Sequence, residues 1–318
     1  MQWPIGALRV ARAPARGFAE TASLDHRTCP AVTVCVSFSA TSSKEILHES
    51  HPAPGRPRRL PRSGPGLALV PAVQAHAAST FVACGDIAGL RAAITAFNAS
   101  GSGDIALQSG CTYTVVNADN DDNGMPVIAG NIRIVSYGAT IARSTAPATP
   151  LFRLFSVGSG GSLTLNRVNL TGGLVTNFET GGAVHNQGSL TVAGATLSGN
   201  GAGDGGAISN DSGATAVLNG ATVSRNTANF GGGVYNGGTL TINYSTVQGN
   251  AGANTGGGLL NVAGQTNLVG SRITGNTATN TGGGVDVGGG QVSDVGSTIS
   301  GNTPNNCAPS GSVPGCTG

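Results

Sequence analysis

The chain has 318 residues, of which 53 are Gly and only 9% are charged. So low a charge density excludes a solvated disordered chain, and abundant Gly without a Gly-X-Y triplet excludes collagen. Residues 1–77 carry nine Lys/Arg against four Asp/Glu, a net of +5, while 78–318 carry seven Arg, no Lys and ten Asp/Glu, a net of −3; that acidic balance excludes a nucleic-acid partner for the larger part.

Residues 1–55 are rich in Pro, Arg and Ser and have no periodicity. They read either as an upstream extension from a start codon that is not used or as a disordered N-terminal segment. Residues 56–77 read as a signal peptide. The basic run Arg56-Pro57-Arg58-Arg59-Leu60-Pro61-Arg62 precedes the apolar stretch Gly66–Val73 and the small-x-small site Ala75-His76-Ala77. Cleavage there starts the mature chain at Ala78, secreted or held at the cell surface. No transmembrane segment is expected.

Residues 78–150 are expected to form a cap and the first irregular coils. Asp86 is placed to N-cap a helix running to about Asn98, with Ile87, Leu90, Ile94 and Phe97 on one face. Strands are predicted over 104–116 and 131–142. Between them, Asp119, Asp121 and Asn123 open a D-x-D-x-N-G stretch, a pattern of alternate oxygens and a turn Gly that suits Ca²⁺. Gly130 stands where the closing Glu is expected, so the stretch reads either as a structural Ca²⁺ loop or as a solvated acidic loop. No other cofactor is implied.

Residues 151–306 repeat. Gly-Gly-Ala-Val-His-Asn at 181–186 recurs as Gly-Gly-Ala-Ile-Ser-Asn at 205–210, Gly-Gly-Val-Tyr-Asn at 232–236 and Gly-Gly-Leu-Leu-Asn at 257–261. The last copy, at 283–287, lacks the Asn. A second motif, an apolar residue three before an Asn, keeps step: Leu197 and Asn200, Val223 and Asn226, Val247 and Asn250, Ile273 and Asn276, Ile299 and Asn302. Leu170 with Gly173 reads as a degenerate first copy. The apolar residues alternate between the motifs, as in Leu190-Thr191-Val192.

Three short strands and three bends in about 25 residues make a coil of an all-β, right-handed parallel β-helix, the hand following the usual sense of parallel crossovers. Leu165, Val192, Leu218, Ile242 and Leu268 should stack as an inner column. Asp294 comes next in that column, so the last coil is expected to open or fray. Asn186, Asn210, Asn236 and Asn261 should form one amide ladder, and Asn200, Asn226, Asn250, Asn276 and Asn302 another.

Residues 307–318 read as a closing tail. Four Cys fall after residue 77, which suits disulfides in an exported chain. Of the three pairings, Cys84 with Cys111 and Cys307 with Cys316 are favoured because each pair flanks one end of the solenoid.

The paired motifs resemble the GGA[ILV] and FxxN repeats of the chlamydial polymorphic outer-membrane proteins, over about 170–302, with Leu, Val or Ile in place of Phe. The stretch 86–98, with Asp104-Ile-Ala-Leu and Gly110-Cys-Thr-Tyr-Thr-Val, resembles the N-terminal part of secreted bacterial β-helix proteins. The resemblance implies a β-helix on or outside the cell, with adhesion as one family role. The expected function is therefore non-enzymatic interaction, by a monomer, with an extracellular protein or polysaccharide.

The alternative is a polysaccharide-active enzyme of the pectin lyase-like fold, or a carbohydrate binder. Hydrolysis of a glycosidic bond needs two carboxylates. The candidates in the repeats are Glu179 and Asp204, near successive Gly-Gly bends, with His185 close by. They read either as a catalytic cluster or as solvated turn residues.

Overall fold

The computed structural model describes residues 78–176 and 178–318. The segments read as an extension and a signal peptide, 1–55 and 56–77, lie outside them. Within them the chain winds into an all-parallel β-solenoid of about nine turns, with a single helix near its N-terminal side. Three sheets of fifteen, four and seven strands run along the axis.

The helix spans Ile87–Ser100. Asp86 caps it, its Oδ1 accepting from Gly89 N at 2.8 Å, and Gly101 ends it at φ 89°. Leu90, Ile94 and Phe97 are buried against the solenoid. Asn98 ties the helix down by donating to Val127 O at 2.7 Å and accepting from Ala129 N at 2.8 Å. A strand the sequence did not announce, Ser79–Val82, precedes the helix and pairs in parallel with Ser102–Leu107. The helix thus interrupts the winding rather than starting it. Tyr113 locks this end: its buried hydroxyl donates to Val82 O at 2.8 Å and accepts from Gln108 N at 3.0 Å.

One regular coil shows the plan. Ile208–Asn210 follows the Gly-Gly bend and belongs to the seven-stranded sheet. Thr215–Asn219 and Thr222–Ser224 lie in the long sheet, folded at Gly220. Thr227–Phe230 lies in the four-stranded sheet. A coil therefore has four strands, not the three expected. The extra one is Gly-, Ala- and Asn-rich (Gly201–Asp204, Thr227–Phe230, Ala251–Thr255, Thr277–Ala278), so it lacks the apolar alternation that marks a strand.

Register makes the core. Leu165, Val192, Leu218, Ile242 and Leu268 are consecutive partners, all fully buried. Each buried aliphatic side chain is worth roughly 1.5–3 kcal/mol. Asp294 does stand opposite Leu268, but the coil does not open there: Gln291–Val295 stays paired over all five residues. Asp294 is only half-buried, and its Oδ1 accepts from Ser297 N at 3.1 Å, so the carboxylate is met within its own turn. The tail begins as a further strand, Cys307–Ala308, pairing with Val285–Asp286. Both disulfides, Cys84–Cys111 and Cys307–Cys316, are present.

The buried amides form two ladders. Nδ2 of Asn186 donates to Asn210 Oδ1 at 2.7 Å, Asn210 to Asn236 at 2.8 Å and Asn236 to Asn261 at 2.8 Å. In the second ladder, Asn200, Asn226 and Asn250 each donate to the next Asn at 2.9 Å, and Asn276 donates to Asn302 at 3.0 Å. Each amide also serves the backbone. Asn226 Nδ2 bonds Leu197 O at 3.0 Å, and its Oδ1 accepts from Asn200 N at 2.9 Å. Asn306 extends the ladder beyond Asn302. Ser245, Ser271 and Ser297 form a third ladder that no motif advertised, each hydroxyl accepting from the backbone N one coil before.

Removing one rung should therefore cost far more than one hydrogen bond. Asn226→Ala strands the buried Asn200 N–H and Leu197 carbonyl, each at about 1–3 kcal/mol, so denaturant unfolding should show a loss of about 3 kcal/mol. Asn243→Ala, at an exposed Asn219–Asn243 bond of 2.9 Å, should change stability by no more than about 0.5 kcal/mol.

Candidate functional site

The Gly-Gly bends put two outward columns side by side. In the four-stranded sheet, Asp204 faces Phe230 and Phe230 faces Thr255. In the seven-stranded sheet the outward column runs His185, Ser209, Tyr235, Leu260, Asp286. A groove of about 390 Å³ lies between them, lined by Asp204, Phe230, Tyr235, Leu260, Val262 and Asp286 among others. Gly206 shows why the bend takes no side chain: a Cβ there would lie 2.3 Å from Gly232 O.

Burial pushes the Asp204 carboxyl above its usual range. Burial, then the negative charges of Asp204 and Asp211, push the Tyr235 phenol up. Asp286 is buried, and its Oδ2 accepts from Thr281 Oγ1 at 2.6 Å. The groove is thus an apolar and aromatic strip with a carboxylate toward each end. Asp204 and Asp286 belong to coils three steps apart, roughly 14 Å along the axis at about 4.8 Å per step. That is wider than the roughly 5–9.5 Å that spans the carboxyl pair of a glycosidase.

Thr180 and Asp204 are bridge partners, so the backbones at Glu179 and Asp204 are adjacent, but the Glu179 and His185 side chains are each engaged elsewhere. Glu179 Oε2 accepts from Arg153 Nη2 at 2.8 Å. His185 Nε2 lies 2.8 Å from Asp211 Oδ2, a carboxylate the sequence did not single out. Burial alone would raise the Asp211 carboxyl, but hydrogen bonds from His185, Gln187 and Ser209 and the His185 charge outweigh it and hold the group below its usual range.

Arg153 is 7% exposed and fully engaged, with Nη1 donating to Asn123 Oδ1 at 3.0 Å and Nε to Thr180 O at 3.1 Å. It clasps three coils and is not aimed at the groove.

The D-x-D-x-N-G loop does not fit Ca²⁺. Asn123 Oδ1 faces the Arg153 guanidinium, and Asp119 Oδ1 lies 3.5 Å from Arg91 Nε. Asp121 is exposed at φ 37°. Two of the three expected ligands thus already face a fixed cation. Among the described residues no group of three or more His, Cys, Asp or Glu could hold a metal ion. No helix among them is long and apolar enough to cross a membrane.

Comparison with protein-family models, with curated proteins and with solved structures returns no match for this chain.

The two perturbed carboxylates pull stability in opposite directions with pH. The Asp204 carboxyl is raised in the fold, so its contribution is present below the ordinary carboxylate range and lost as pH rises through the raised value. Asp211 is depressed, so its contribution is present at neutral pH and lost on acidification. Asp204→Asn should raise the thermal unfolding midpoint at pH 7, with the gain fading as the pH falls through the carboxylate range. Asp211→Asn should lower it at pH 7. Calorimetric scans across pH read both.

Proposed function

We propose that this chain is an exported, non-enzymatic interaction protein that binds an extended extracellular polymer, protein or polysaccharide, along the groove between its two smaller sheets. Two disulfides suit an oxidising compartment outside the cytosol. The likeness of the paired repeats to those of the chlamydial polymorphic outer-membrane proteins, a family with adhesive members, supports a binding role at the cell surface.

The observation that carries the reading is the spacing of the groove's carboxylates. Asp204 and Asp286 sit three coils apart, with Phe230, Tyr235 and Leu260 among the residues lining the groove with them. A hydrolytic site needs its two carboxyl groups on either side of one glycosidic bond. An elongated apolar wall with separated acidic ends instead favours contact along a ligand. The described residues hold no Lys, and Arg153, the arginine bonded to Glu179, is buried and occupied, so a lyase base is not supplied there.

The purified protein should retain a polymer ligand in affinity electrophoresis or pull-down from the extracellular fraction without turning it over. Tyr235→Ala should weaken that retention at least tenfold. Turnover of pectin, alginate or another polysaccharide that disappears in Asp204→Asn would overturn the reading in favour of an enzyme.

A further inference from the structure

We propose that a second cleft, on the outer face of the long sheet near its N-terminal end, binds a carboxylate-bearing saccharide through Arg167, Arg133 and Tyr137. The cleft is distinct from the groove above, and its volume is about 460 Å³. Its polar lining is Arg133, Arg167, Tyr137, Asn166 and two serines.

A break in the winding builds it. Asn131–Arg143 and Ser162–Thr171 pair in register on both sides of a shift between Val135 and Ala139, which stand opposite Asn166 and Val168. The earlier coil therefore carries two extra residues. This bulge throws Tyr137 outward, 74% exposed, beside the next coil. The Arg167 guanidinium lies over that ring, 5.2 Å from its centroid. Ring and guanidinium make one flat, amphipathic wall.

The backbone under Arg167 points to selection for something other than stability. It sits in the left-handed region at φ 54°. The same bend in the coils that follow is made by Gly194, Gly220, Tyr244, Gly270 and Gly296. Gly fits this conformation without strain, whereas a side chain is strained in it. At the Arg167 bend the chain accepts that strain, in an exposed residue that lines a cleft. Among the described residues Arg167 has no carboxylate partner, so its fork is open.

Charge selects the ligand class. Arg133 lies 3.5 Å from Asp104, so the pair of arginines less one acid leaves about one net positive charge. That suits a single carboxylate per sugar, which a guanidinium binds bidentately. A polyphosphate, with its closer-spaced charges, would need more cations than this cleft supplies.

The test is calorimetric titration of the full-length protein with a short oligouronate, its neutral methyl ester and inorganic phosphate. The expected result is affinity for the oligouronate at least tenfold above the other two. Arg167→Gly should lose at least tenfold of that affinity while its thermal midpoint holds or rises, because Gly relieves the bend. Arg225→Gly, which relieves a second left-handed arginine at φ 55° elsewhere, should keep wild-type affinity. Equal affinity for the neutral ester or phosphate, absence of binding at millimolar ligand, or unchanged affinity in Arg167→Gly would each overturn the proposal. Asp204→Asn should leave this binding intact, so the two sites can fail separately.

Discussion

The structure depends on one constraint: equivalent residues of successive coils must lie a single strand spacing apart, about 4.8 Å. Only then can an amide buried in one coil reach the amide of the next. The Asn200–Asn302 ladder meets it over four consecutive bonds of 2.9–3.0 Å, although the chain between rungs varies from 24 to 26 residues. The variation is taken up elsewhere in the coil, so the ladder acts as the ruler. A low-dielectric interior strengthens such a chain of bonds and makes each missing one costly. Where a coil lacks the Asn, as at Gly173, the next one still finds a partner: Asn200 Oδ1 accepts from Gly173 N at 3.0 Å.

From that ruler follow the aliphatic columns and the bends. A parallel stack repeats each bend at the same place, so each bend becomes a column of its own. Most bend positions in the long sheet are Gly with positive φ, and the departures, Arg167, Arg225 and Tyr244, are few enough to carry meaning. Structure alone would place Gly there. The side chains of Arg167, Arg225 and Tyr244 are all exposed, so none of them contributes to the core.

The described residues are frugal with charge, and several of their ionic groups fall into two sets. Arg91 and Arg153 bind the irregular loop around residues 117–124 to the helix and to the first coils, acting as internal clasps. Asp204, Asp286, Arg133 and Arg167 line two separate recesses on different sheets, one acidic and aromatic, the other basic and aromatic. Solenoids expose long faces whose neighbouring rungs repeat, and such faces suit ligands that are themselves extended. The interruptions of the repeat are what give this one its local chemistry.

The sequence by itself determined the period, the inward columns, both Asn ladders and the helix with its Asp86 cap, and it favoured the observed cysteine pairing over two alternatives. These were legible because one coil of sequence separation equals one contact in space, so a repeat along the chain is already a statement about stacking. The tertiary structure alone decided the rest. The fourth strand of the regular coils escaped notice because its Gly-, Ala- and Asn-rich backbone pairs without an apolar pattern, and the four-residue strand at Ser79–Val82 is too short to show one. The pairing of Glu179 with Arg153, and of His185 with Asp211, depends on which way side chains turn at a bend, and periodicity carries no information about that. The cleft at Tyr137 arises from a shift of register, the kind of departure that a repeat read along one dimension conceals.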